Sequence, residues 1–133
     1  MPEELRKIFG IGIDVVENGR VADAIRRHGD RFIQKIYQPA EAEYCRGMKD
    51  PTPHFAVRFA AKEAVSKAFG TGFAGQFSWK DIEVRRKASG EPFIVLHEGA
   101  AELAKRQGIA SVLISLSHSQ DYAVANAIVI KEK

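Results

Sequence analysis

Two carboxylates and an amine carry the clearest chemistry in this chain. Asp14 closes the run Gly10-Ile11-Gly12-Ile13-Asp14, and Glu63 precedes Lys67 by one helical turn in the segment KEAVSK. In an extended strand the alternation puts Gly10, Gly12 and Asp14 on one face and Ile11, Ile13 and Val15 on the other. The glycine face lacks bulk, so another element or a ligand can approach its backbone. Carboxylates are hard oxygen donors, and Mg2+ commonly takes one or two of them, keeps several waters and completes its shell with phosphate oxygens. Asp14 with Glu63 has that form, and Lys67 beside Glu63 would neutralise charge developing on a transferring phosphate. A plainer reading stands next to it: Glu63 and Lys67 as an exposed i,i+4 ion pair worth roughly 0.3–0.5 kcal/mol. Nothing in the sequence by itself brings Asp14 and Glu63 together.

Other reactive residues are less specific. His118 follows an apolar strand at the start of a turn between Ser117 and Ser119, a place as natural for a surface histidine as for a phosphate ligand. The run Gly70-Thr71-Gly72 serves either as a helix C-cap with a turn or as a backbone cradle for a nucleotide. It is no Walker A motif, because no G-K-[ST] follows, and GIGID lacks the third glycine of a dinucleotide fingerprint. His28, His54 and His97 have no zinc-like spacing with one another or with Cys45. Cys45, the one cysteine, has no histidine near it in AEAEYCRGMKD and reads as a packed, passive thiol.

The elements that must position these residues follow from periodicity. IFGIGIDVVE reads as a strand broken at Asn18-Gly19, and VADAIRRHG as a short amphipathic helix with Arg20, Arg26 and Arg27 toward solvent. Phe32, Ile33 and Ile36 give a further helical turn or two, and Gln38-Pro39 opens a helix through Cys45. The punctuation of RGMKDPTPH by Gly47, Pro51 and Pro53 predicts a loop, followed by a long helix from about Phe55 to Phe69 ending at Gly70. On it Val57, Ala60, Ala61, Ala64 and Ala68 form a small-residue stripe for close packing, while Arg58 and Lys67, nine positions apart, point in nearly opposite directions. A hairpin turning at Ser89-Gly90, a helix closed by Gly108 and two apolar strands, Ser111 to Ser117 and Tyr122 to Ile130, complete the chain. The order predicts an α+β fold, a mainly antiparallel sheet packed on the long helix, with residues 1–133 as a single domain.

Bulk composition narrows the class. With 133 residues, 45% hydrophobic and 28% charged, the chain has the size and make-up of one ordinary globular domain rather than a disordered or membrane segment. No apolar run approaches the ~20 residues of a membrane helix, and MPEELRKIFG lacks the apolar stretch of a signal peptide, so a cytoplasmic location is expected. A net charge of +3 leaves nucleic acid, a phosphorylated small molecule and an acidic protein all open as partners. A non-enzymatic basic module binding nucleotides or RNA is the alternative from another class. It calls for aromatic residues interleaved with Arg and Lys on a sheet face, which Tyr122 and Phe93 alone hardly supply.

Taken as a set, GIGIDVVE (10–17), RFAAKEAVSKAFGTG (58–72), DIEV (81–84), the G-x-P at 90–92 and SLSHSQDYAVA (115–125) resemble the holo-[acyl-carrier-protein] synthase family, the small bacterial 4'-phosphopantetheinyl transferases. The motifs fall in the family's order and span most of the chain. The resemblance implies Mg2+-dependent transfer of 4'-phosphopantetheine from coenzyme A to a serine of apo acyl carrier protein, releasing adenosine 3',5'-bisphosphate, in fatty acid biosynthesis. It implies metal ligands at Asp14 and Glu63, a catalytic lysine at Lys67, and coenzyme A in a cleft between subunits of a homotrimer. It places His118 with Ser117 near the nucleotide phosphates, Arg58 and Lys49 near the 3'-phosphate, and Gly70, Thr71 and Gly72 at the adenine. Arg58 and Lys62 are expected to reach another portion of that long ligand or a neighbouring chain. Arg20 resembles the arginine that meets the acidic carrier helix, with Arg26, Arg27 and Arg31 widening the basic surface. No nucleic acid and no membrane enter this reading. Two departures stand out: Val57 where a glycine commonly precedes R-F, and Asn18-Gly19 where many members carry an apolar and a basic residue.

Overall fold

A computed structural model describes residues 6–70 and 77–132. Strand β1 (Arg6–Glu17) runs into helix α1 (Asn18–His28), followed by α2 (Asp30–Ile36), α3 (Pro39–Arg46) and α4 (Pro51–Phe69). A 3-10 turn at Trp79–Asp81 leads into β2 (Ile82–Arg86), β3 (Pro92–Leu96), α5 (Glu98–Arg106), β4 (Ile109–His118) and β5 (Tyr122–Glu132). The order of elements is the one the hydrophobic periods predict, with β1, β4 and β5 each running a residue or more further at an end. β1, β5 and β4 form an antiparallel sheet in that order, and β2 pairs with β3 as an antiparallel hairpin. In the register Asp14 lies opposite Ala125, which lies opposite Leu116, and His118 lies opposite Ala123.

The glycine face of β1 is the inward face. A Cβ built on Gly10 would stand 1.9 Å from the carbonyl oxygen of Ala68, and one on Gly12 1.9 Å from that of Ala64. Strand and helix therefore touch backbone to backbone, which no residue with a side chain permits. The helix answers with its own small stripe: Ala60, Ala61, Ala64 and Ala68 are buried, as are Ala123, Ala125 and Ala127 on the central strand. Ile11, Ile13 and Val15, on the opposite face of β1, are 66%, 59% and 59% exposed.

At its N-terminus α4 overruns the expected loop. Pro51 and Pro53 fall in the first turn, where backbone N–H groups have no intrahelical partner and proline removes nothing. Asp50 caps that turn by accepting from the Thr52 N–H at 3.3 Å. The helix ends at Gly70, whose φ of 82° is the left-handed cap that glycine adopts without strain. Its 19 residues border two apolar clusters, one against the sheet and one beneath α1, α2 and α3, so α4 fixes both halves of the molecule to each other.

Candidate active site

Asp14 and Lys67 meet where β1 crosses α4. The Lys67 ammonium donates to Asp14 Oδ1 at 2.9 Å and to the Ile13 carbonyl at 3.0 Å. Asp14 is mostly covered and the Lys67 side chain about half exposed, so the pair sits at the rim of the packed interface. An ammonium carries three donors; the third makes no bond to the described residues. Glu63, one turn earlier on α4, accepts from the Trp79 indole N–H at 3.1 Å. That bond holds one carboxylate oxygen in place and leaves the other, like Asp14 Oδ2, without a hydrogen bond from the described residues. No cage of three or more His, Cys, Asp or Glu forms among the described residues. Asp14 and Glu63 are the carboxylates near this crossing that could serve an ion taking one or two protein oxygens.

A second cluster lies at the N-terminal end of α4. Arg58 is 1% exposed; it donates from Nη1 to the His54 carbonyl at 3.3 Å, and its guanidinium carbon lies 4.4 Å from the Tyr44 ring centre. Its Nε is buried without an acceptor. The rings of His54 and His118 meet edge to face at 5.4 Å, and Arg86 from β2 approaches the Tyr44 ring at 5.9 Å. Arg58 and His118, assigned together by resemblance, thus come together here. Ser117 lies exposed beside His118, and Gly70 is exposed at the far end of α4. Lys49 is exposed between α3 and α4 and makes no bond to this cluster among the described residues. Thr71 and Gly72 lie outside the described residues.

Lys62 is corrected by the structure. Its side chain is fully buried, and its ammonium donates to Glu41 Oε1 at 2.7 Å, the Ile82 carbonyl at 2.5 Å and the Trp79 carbonyl at 3.2 Å. Those three acceptors exhaust its donors, so it has none to offer a ligand. Burial pulls its pKa down and Glu41 opposes that. Glu41 in turn accepts from the N–H groups of Gln38 and Val84, knitting α3, α4 and β2. Arg58 is buried too, beneath the Tyr44 ring and beside the His54 carbonyl. Cys45 is wholly buried, and burial pushes its thiol up to about 11, which accords with a passive role.

The basic residues assigned to carrier docking are exposed, Arg20, Arg26 and Arg27 on α1 and Arg31 on α2. Arg26 is engaged by Asp23 at 3.1 Å. Arg20 borders a cleft of about 500 Å³ lined mainly by Val16, Val21, Phe32, Phe59 and Tyr122. The sequence reading missed Trp79, which orients Glu63, and the partners of Arg58, namely His54, Tyr44 and Arg86. A lone tryptophan outside any periodic element was the available signal for the first. The others come from three separate elements, and no local pattern joins them.

Comparison with known proteins agrees with this architecture. Residues 10–127 match the 4'-phosphopantetheinyl transferase superfamily. A holo-[acyl-carrier-protein] synthase of Koribacter versatilis is 48% identical over 91% of this chain and 97% of its own length. The crystal structure of the Neisseria meningitidis holo-[acyl-carrier-protein] synthase superposes with a TM-score of 0.86 at 32% identity, covering 92% of this chain and 98% of that one. The Helicobacter pylori synthase, solved in complex with coenzyme A, gives 0.80 at 30% identity over 90% and 98% of the two chains. The antiparallel fold is therefore that of a 4'-phosphopantetheinyl transferase. Within that superfamily, the chain belongs to the holo-[acyl-carrier-protein] synthases.

Proposed function

We propose that this chain, as a cytoplasmic enzyme, transfers 4'-phosphopantetheine from coenzyme A to a serine hydroxyl of apo acyl carrier protein and releases adenosine 3',5'-bisphosphate. The observation that carries the reading is Lys67 bonded to Asp14 across a strand and helix that touch through Gly10 and Gly12, with Glu63 one turn away on the same helix. The site residues fit Mg2+, with Asp14 and Glu63 as the protein ligands. Bound there, the ion would withdraw charge from the diphosphate of coenzyme A. Lys67 holds Asp14 in position through its 2.9 Å bond, and directs its remaining N–H at the phosphate oxygens as the bond to phosphorus forms and breaks. The Trp79 indole holds the Glu63 carboxylate against rotation. Catalysis by these residues is positioning and charge neutralisation, which is how phosphoryl-type transfer is commonly accelerated.

Arg58 and His118 supply a separate anion site for the 3'-phosphate. Because Arg58 and Lys67 leave α4 in nearly opposite directions, a single subunit grips only part of coenzyme A, and a second copy supplies the other wall. A homotrimer accords with the outward face of the sheet, where Ile8, Ile11, Ile13 and Val15 of β1 and Leu113 of β4 are each more than half exposed, an apolar area that solvent-facing strands seldom carry. Arg20, with Arg27 and Arg31, offers the charge for an acidic carrier helix, and the apolar cleft beside Arg20 offers it a seat. Mass spectrometry of apo acyl carrier protein incubated with coenzyme A, Mg2+ and this protein tests the reading. The carrier gains the mass of one phosphopantetheine arm, and a carrier serine→alanine variant does not; an unmodified wild-type carrier would end it.

A further inference from the structure

Arg58 is an unusual group to bury. It is 1% exposed, its Nε has no acceptor, and no carboxylate pairs with it among the described residues. A guanidinium in that position costs several kcal/mol unless an anion reaches it. Beside it stand groups that are cationic or become so on protonation, His54 on its own helix, His118 from β4 and Arg86 from β2, with the Tyr44 ring of α3 as an uncharged wall; Glu41 and Glu83 line the same surface, but Lys62 engages the first and Arg85 and His97 the second. Among the described residues, Asp50, the helix cap, is the acid that acts on His54. His54 Nδ1 is buried and bonded to nothing in the described structure. These groups converge from four elements and would repel one another if all were charged. A phosphate monoester, a dianion near neutral pH, is the ligand that such a site fits.

We propose that His54 is a specificity-determining residue of this phosphate subsite: it takes up a proton when a phosphate monoester docks against Arg58 and His118, which ties affinity for a 3'-phosphorylated nucleotide to pH. The inference rests on the reading of the chain as a user of coenzyme A, whose 3'-phosphate is the monoester in question.

In the free protein the His54 pKa is held below that of an ordinary imidazole. Burial lowers its pKa first, then the charges of His118, Arg58 and Arg86, against a smaller opposite pull from Asp50. Its place in the first turn of α4, at the positive end of the helix dipole, works in the same direction. A docked dianion reverses the field. Between the lowered pKa of the free form and the higher one of the complex, binding consumes a proton, so affinity rises as pH falls through that window and levels off once both forms are protonated. The ligand's own second ionisation, at about 6, is common to every protein variant and cancels in a comparison between them.

The test uses the full chain and calorimetric titration with adenosine 3',5'-bisphosphate, and with adenosine 5'-monophosphate as the probe lacking the 3'-phosphate. Between about pH 8 and about pH 6.5, affinity of the wild type for the bisphosphate rises roughly three- to tenfold more than that of His54→Gln. The monophosphate shows no such difference. Nitrogen chemical shifts of the His54 ring in the wild type, which need no variant to fold, move from neutral to protonated on saturation near neutral pH. An identical pH dependence in both proteins, or a His54 ring that stays neutral in the complex, overturns the proposal. Transfer to the carrier protein is measured alongside: loss of transfer with the pH signature intact refutes the coenzyme A reading alone, whereas transfer without the signature refutes the role of His54 alone.

Discussion

Lys62 and Lys67 show how little a residue's type says about its work. They stand five positions apart on one helix, yet Lys67 keeps one donor that bonds to none of the described residues while all three donors of Lys62 are consumed inside the protein. A buried ion pair of this kind is costly to break from one side, because the remaining charge keeps its burial and loses its partner. Lys62→Met is expected to lower unfolding free energy by about 3–5 kcal/mol at fixed protein concentration, and Lys62→Met with Glu41→Leu to recover much of it. Denaturant unfolding checks both; an unchanged midpoint in the single variant would show that the pair contributes nothing. The amphiphilic look of the KEAVSK segment hides this distinction. Helical spacing places Lys62 and Lys67 on different faces, but whether a face meets solvent or an acid such as Glu41 is decided by α3 and β2, which are distant in sequence. By contrast Asp14 was legible, since alternation alone sets it on the glycine face that the helix covers.

At the scale of elements, the strand–helix contact is the feature that everything in the site depends on. Gly10 and Gly12 admit α4 to backbone contact, and that approach is what sets Asp14 beside Lys67. Gly12→Ala puts a methyl carbon where the Ala64 carbonyl oxygen lies, at 1.9 Å, with the backbone nitrogen of Ala68 at 2.8 Å. Helix and strand must separate, at a cost of at least ~1–3 kcal/mol as for other overpacked cores. Gly12→Ala is expected to lower the melting temperature and also to raise the Mg2+ concentration that transfer requires, because the carboxylates move apart. A fully stable and active Gly12→Ala would contradict the packing. The strands, the helix order and the small-residue stripe were all readable from period and residue size. The start of α4 was not, because Pro51 and Pro53 look like loop signals unless they fall in a first turn, and only the capping Asp50 distinguishes the two cases.

Across the whole molecule, the two polar clusters lie at separate places along α4, and among the described residues one sheet face is apolar and exposed. Ile13→Lys, whose side chain stands at the middle of that face and points away from Asp14, is expected to turn the proposed trimer into monomers by light scattering and to depress transfer strongly, while its carbonyl still accepts from Lys67. Monomeric wild type with full activity would contradict shared sites. Sequence could suggest this arrangement only through the opposed directions of Arg58 and Lys67, because exposure of Ile11, Ile13 and Val15 is a property of the assembled sheet. The central claim, that Asp14 and Glu63 from β1 and α4 hold one divalent ion against a diphosphate, is tested most directly by assaying Asp14→Ala and Glu63→Gln across a range of Mg2+ concentrations. Transfer should fall by about 10²–10³ in each, with the residual activity of Glu63→Gln requiring far more Mg2+. Full activity in both variants, independent of Mg2+, would contradict the claim.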